Sequence, residues 1–180
     1  KGNRGTLDQI CRLALSTYKE TLGVEEFLFL QASVDSSAES IPKLTEVIER
    51  APNHSRAYYI RGMLRARKGD LSGGKMDLDQ AIKIHPRYAW SYISRGILSR
   101  KTNQNQEALK NFSLALKYLS LQDPIYNVVD RFHYGQILAA RIHREIGVLY
   151  SEELKLDKAL DSFHTAIQLN EEDLASHLRR

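Results

Sequence analysis

Residues recur in this chain at a step of 34. Gly62 and Gly96 stand 34 apart, as do Pro52 and Pro86. Ala81 and Ala115 each follow their glycine by 19 residues, and later in the chain Ala166 follows Gly147 by the same interval. A fixed period of this size constrains the fold more tightly than composition does. Each period is one supersecondary unit that cannot bury its apolar face alone, so neighbouring units must stack to make a core. Small residues mark where two antiparallel helices can cross closely, here Gly62 against Gly74, Gly96 against Ala108, and Gly147 against Ala159. Phe112 and Phe163 fill the space beside them, and Ala81, Ala115 and Ala166 leave room for the first helix of the next unit.

The residues in these slots resemble the tetratricopeptide repeat (TPR), a 34-residue helix–turn–helix unit. A unit starting at Ser55 sets Tyr58, Gly62, Gly74, Leu78, Ala81 and Pro86 on the positions that define the repeat. A second, from Ala89, gives Tyr92, Gly96, Ala108, Phe112 and Ala115, and a third, from Ala140, gives His143, Gly147, Tyr150, Ala159, Phe163 and Ala166. The resemblance implies an all-α, right-handed superhelical solenoid of antiparallel helix pairs.

Taken in order, residues 1–54 read as a capping helix and a degenerate repeat. In TPR register Leu28 stands where glycine belongs and Val47 where alanine belongs. Residues 55–88 and 89–122 are regular repeats, with helices over 56–68, 71–84, 89–101 and 105–119. The period then breaks. The third repeat, 123–173, carries 17 extra residues at 123–139. Val128, Phe132, Leu138, Ile142, Ile146 and Leu149 keep helical spacing through the insertion, which predicts one elongated helix over about 126–152, with Gly135 as the place for a kink. At 1.5 Å per residue it is roughly 40 Å long. Its stripe of Val128, Val129, Phe132 and Leu138 exceeds what the third repeat can cover, so it is expected either to meet a partner or a second copy of the chain, or to fold back at Gly135 against Phe112 and Leu116. A last helix over about 156–169 closes the repeat, and residues 174–180 begin a further one.

Several function classes are excluded by what the sequence lacks. It has no Gly-rich phosphate loop, no HExxH, no CxxC and no nucleophile elbow. The six histidines are too dispersed for a zinc site. No enzyme, metal or cofactor is expected, and no run of 18 apolar residues predicts a membrane span. The single cysteine, Cys11, fits a buried position in a reducing compartment, so an intracellular, cytoplasmic setting is expected. The chain starts Lys-Gly-Asn, which reads as a piece of a longer protein. Charge is unevenly spread. Residues 51–120 hold 13 basic and 4 acidic side chains, net +9, between a first stretch of net −2 and a last of net −3.

In the TPR family the first helix of each pair lines a concave groove through its second, fifth, ninth, twelfth and thirteenth positions. By that resemblance the groove is lined by Arg56, Tyr59, Met63, Ala66 and Arg67. Trp90, Ile93, Ile97, Arg100 and Lys101 follow, then Arg141, Arg144, Val148, Ser151 and Glu152. This aromatic–aliphatic strip edged with cations suits a segment of another protein, acidic with apolar anchors. The alternative is a nucleic-acid-binding solenoid using the basic centre, though aromatic–basic interleaving on every repeat is missing. The carboxylate clamp of chaperone-binding TPR proteins is not matched. Its positions hold Tyr59, Met63, Ser94, Arg141 and Glu145, of which Arg141 alone keeps a suitable charge.

Overall fold

The computed structural model describes Phe29 and residues 40–120 and 131–178, and every regular element among them is helical. The helices are α1 (Ser40–Arg50), α2 (Ser55–Arg67), α3 (Leu71–Ile84), α4 (Ala89–Lys101), α5 (Asn105–Ser120), α6 (Arg131–Glu152) and α7 (Leu156–Leu178). They fall into two units, Lys1–Pro86 and Arg87–Arg180. Consecutive helices pack on one another: α1 on α2 and α2 on α3 in the first unit, α4 on α5, α5 on α6 and α6 on α7 in the second.

In the first unit α2 starts where His54 turns the chain. The His54 Nδ1 accepts the Ala57 N–H at 3.2 Å, so a histidine does the capping that serine or aspartate usually does. Asp70 caps α3 in the ordinary way, accepting the Gly73 N–H at 2.8 Å. A Cβ on Gly73 would run into that carboxylate, which accounts for a glycine in the first turn of α3. Phe29, Leu44, Val47, Ile48, Ala57 and Leu64 form the core of this unit. Helices α2 and α3 touch backbone to backbone. A Cβ on Gly74 would lie 2.9 Å from the Gly62 carbonyl oxygen, and one on Gly62 would lie 3.0 Å from that of Gly74.

The second unit crosses its pairs differently. The atoms nearest to a Cβ placed on Gly96 or on Gly147 belong to the rings of Phe112 and Phe163, each at 2.7 Å. These glycines therefore make room for the phenylalanine of their own pair, ahead of the expected Ala108 and Ala159.

A polar pair also repeats with the 34-residue step. Arg61 donates to both carboxylate oxygens of Asp77 at 2.9 and 2.7 Å, and Arg65 adds a third bond at 2.9 Å. One repeat later Arg95 donates to the Asn111 side-chain oxygen at 2.8 Å. Each first arginine also lies over the tyrosine one turn before it, Arg61 over Tyr58 and Arg95 over Tyr92. In the third pair the corresponding residues are Ile146, buried, and Ser162, whose hydroxyl turns back to the Lys158 carbonyl at 2.8 Å.

The turn between the helices of each pair uses one left-handed residue, and it degrades along the chain: Gly69 at φ 95°, Asn103 at 57° and Leu154 at 57°. Glycine and asparagine tolerate this region, whereas a leucine is disfavoured there by about 1–2 kcal/mol. The Leu154 side chain is 82% exposed and offers little packing in return. Leu154→Asn is accordingly expected to stabilise the protein by about 1 kcal/mol, read as a melting temperature a few degrees higher. A fall in melting temperature would show that Leu154 makes a contact worth more than its strain.

Two helices differ from the sequence reading. Helix α6 runs unbroken through Gly135, and its 22 residues are roughly 33 Å long against about 20 Å for the 13-residue α2 and α4. The expected start at 126, with Val128 and Val129, lies outside the described residues, as does the placement of the Phe132 side chain, while Leu138 is buried. Helix α7 is one element of 23 residues, in place of a helix ending near 169 and a new one from 174. The reason is local. No glycine or proline occurs between Leu156 and Leu178, whereas Pro86 follows α3.

Candidate partner-binding site

The residues that the repeat register turns toward a groove lie on α2 in the first unit and on α4 and α6 in the second. On α2, Arg56 and Arg67 are exposed, and the Arg56 guanidinium sits 4.9 Å from the centre of the Phe29 ring. Met63 is half-buried. Tyr59 is 9% exposed, so it lies beneath its neighbours on this helix. Ala66 belongs elsewhere. A Cβ on Gly74 would come within 3.0 Å of the Ala66 Cβ, which places Ala66 at the α2–α3 crossing and takes it off the groove face.

In the second unit α4 and α6 lie side by side, and their charges meet. Arg100 on α4 pairs with Glu145 at 3.3 Å and with Glu152 at 3.4 Å. Arg144, one residue before Glu145, approaches its other oxygen at 3.5 Å. The Arg100–Glu145 contact is an ion pair without hydrogen-bond alignment: neither the Arg100 Nε nor the Glu145 Oε2 has a hydrogen-bond partner. Arg141 and Arg144 remain exposed on the same side of α6, one turn apart, and Lys101 is exposed at the end of α4. Trp90, Ile97 and Val148 are half-buried, while Ile93 is 2% exposed and serves the core of its unit. Ser151 and Glu152 are exposed.

Glu145 is the residue that the sequence reading misses. There it is only a mismatch to a carboxylate clamp, yet in the structure it joins two of the candidate arginines. The available signal is its spacing: four residues before Leu149 and seven before Glu152, it shares one face of α6 with them. Elsewhere in the unit, burial pushes the Tyr92 hydroxyl up from its ordinary value, with Tyr118 beside it adding to the shift and Arg95 offsetting it in part. Burial also holds His143 below the usual histidine range, so its neutral form is favoured on α6. Among the described residues no group of three His, Cys, Asp or Glu side chains is placed to hold a metal ion. No helix among them is long and apolar enough to cross a membrane.

No protein-family model matches this sequence, and no curated protein matches it. Solved structures do. A crystal structure of MamA is 18% identical, with a TM-score of 0.71, over 95% of this chain and 92% of that one. A MamA fragment, 41-end, from Desulfovibrio magneticus RS-1 is 15% identical, with a TM-score of 0.67, over 95% and 97%. TTC0263, a thermophilic TPR protein from Thermus thermophilus, is 20% identical, with a TM-score of 0.67, over 97% and 89%. Identities this low speak to architecture alone, and with the helix pairs and repeat slots described above they establish it: this chain has the tetratricopeptide-repeat fold.

Proposed function

We propose that this chain is a protein–protein interaction scaffold that takes a partner segment, acidic with apolar anchors, on the faces of its first helices. The reading is of a binding protein in an intracellular, cytoplasmic setting. One observation carries it. On the second unit, α4 and α6 carry exposed Arg141, Arg144 and Lys101 together with half-buried Trp90, Ile97 and Val148. The Arg100–Glu145–Glu152 cluster ties these two helices together by ion pairs. Apolar side chains and cations on the same two helices suit a segment in which carboxylates flank an apolar anchor. In the first unit Arg56, Met63 and Arg67 offer the same combination, with Tyr59 behind them.

The nucleic-acid alternative rests on the basic centre, and that centre is partly committed. Arg61 and Arg65 are held by Asp77, Arg95 by Asn111, and Arg100 by Glu145 and Glu152. These four of the 13 basic side chains in residues 51–120 are engaged within the protein.

The test is charge reversal where folding does not depend on the charge. Arg141→Glu with Lys101→Glu is expected to weaken capture of the partner by tenfold or more, with an unchanged melting temperature, since both side chains are exposed. Capture of the same proteins at the same strength by this variant would remove the α4–α6 face from the proposal. A steep, linear loss of affinity for a generic single-stranded oligonucleotide with rising salt, seen in the parent and reduced in the variant, would favour the nucleic-acid reading.

A further inference from the structure

Helix α6 carries a line of residues between the face it gives to α4 and the face it gives to α7. Ile137, Arg141, Arg144 and Val148 follow one another at steps of four, three and four residues. They therefore share one side of the helix along roughly 16 Å of its length. Ile137 is 43% exposed, Arg141 and Arg144 are exposed, and Val148 is half-buried. On one flank Glu145 and Glu152 pair with Arg100 of α4, and on the other Gly147 meets the Phe163 ring of α7.

Two features make this line particular to α6. Helices α2 and α4 begin at Ser55 and Ala89, the first positions of their repeats, whereas α6 begins at Arg131, ahead of the equivalent Ala140. The added turns bring Ile137 into the line, while the equivalent residues of the earlier repeats, Pro52 and Pro86, lie outside their helices. The slots of Arg141 and Arg144 are held on α4 by Trp90 and by Ile93, which is buried. On α6 the same slots are charged and open.

We infer that this line is the docking seam for an acidic amphipathic helix of a partner protein, laid along α6. The inference rests on the scaffold function proposed above and gives the partner segment its form. Charge selects the chemistry. Arginine stays charged at any working pH, and both carboxylates of α6, Glu145 and Glu152, are engaged by Arg100. Arg144 approaches Glu145 only to 3.5 Å, and its side chain is 63% exposed. Spacing selects the form. A second helix repeats steps of four, three and four on its own face, so an apolar residue, two carboxylates and a second apolar residue meet the line turn for turn. An extended segment turns a side chain to one face about every 6.6 Å and falls out of step by about 3 Å over the same length.

The probe is a labelled synthetic peptide of about 18 residues, long enough to form helix, with Leu, Glu, Glu and Leu at those steps and alanine and glutamine elsewhere. Fluorescence anisotropy with the whole chain is expected to give a dissociation constant on the order of 10–100 µM, the range of a small interface. A central proline in the peptide is expected to weaken binding at least tenfold. Ile137→Glu and Arg141→Glu are each expected to do the same, and exchanging one peptide glutamate for lysine is expected to restore binding to the Arg141→Glu chain. Arg141 is exposed, so its variant carries the test if Ile137→Glu misfolds. No binding by the parent at several hundred micromolar overturns the inference, and so does equal binding of the proline peptide. An affinity that Ile137→Glu leaves unchanged, in a chain that keeps its melting temperature, overturns it as well. Each of these results leaves the scaffold function to be judged separately by capture of the partner with the Arg141→Glu, Lys101→Glu chain.

Discussion

Asp77→Ala should destabilise the first unit by about 3–5 kcal/mol, a large share of what a small domain has in total. Asp77 is buried and accepts three bonds from two arginines. Arg61 is itself buried, and its remaining amino group reaches the Thr45 hydroxyl at 3.1 Å. The network thus ties α1, α2 and α3 together through one carboxylate. Such a pair adds little relative to an apolar replacement of both partners, but removing one partner strands a buried charge, and that is what alanine does here. Arg65 is nearer to solvent and can turn outward, whereas Arg61 cannot do so without opening the α2–α3 contact. Asp77→Asn should be milder, because Asn111 does the same work opposite Arg95 in the next repeat. Urea unfolding of the three proteins is expected to order them parent, Asn, Ala. A loss below about 1 kcal/mol for the alanine variant would mean that Arg61 finds another partner.

Phe112→Ala is expected to cost about 3–5 kcal/mol in the second unit, since the ring is fully buried and leaves a cavity. Its more informative use is in combination. Gly96→Leu alone should cost about 1–3 kcal/mol, because even the Cβ meets the Phe112 ring at 2.7 Å. In the Phe112→Ala background the same leucine enters vacated space. The double variant should therefore be more stable than the sum of the two single losses predicts, by about 1 kcal/mol or more. Simple additivity would place the leucine somewhere other than the ring's site and would refute the crossing described for α4 and α5.

What can be read in the sequence, and what cannot, follows from which interactions repeat. The helices of the regular pairs are legible because small residues, prolines and apolar stripes each act within one or two turns of the chain. The close approach of Gly62 to Gly74 is legible for the same reason. The Arg61–Asp77 and Arg95–Asn111 pairs are equally present, 34 residues apart, but in sequence a charged side chain at a core slot looks the same as surface charge. Glu145 and Arg100 belong to different repeats, 45 residues apart in sequence, and no local period brings them together. The left-handed turn at Leu154 is hidden because leucine gives no turn signal. The length of α7 escapes a reading that relies on the repeat length where no stop residue enforces it.

The series formed by Arg61 with Asp77, Arg95 with Asn111, and Ile146 with Ser162 has a consequence for how the chain avoids errors while folding. Tandem repeats are liable to misassemble, because any first helix resembles the partner that any second helix expects. Here the three slots carry different chemistry. If α6 were to dock on α3, Ile146 would face Asp77 and leave a carboxylate buried without its arginines. If α2 docked on α5, Arg61 would exchange an ionised acceptor for the neutral amide of Asn111. Each of these mismatches forfeits the pairing of Arg61 with ionised Asp77 that the correct match makes, so the polar pairs distinguish one repeat from the next while the apolar slots around them remain interchangeable.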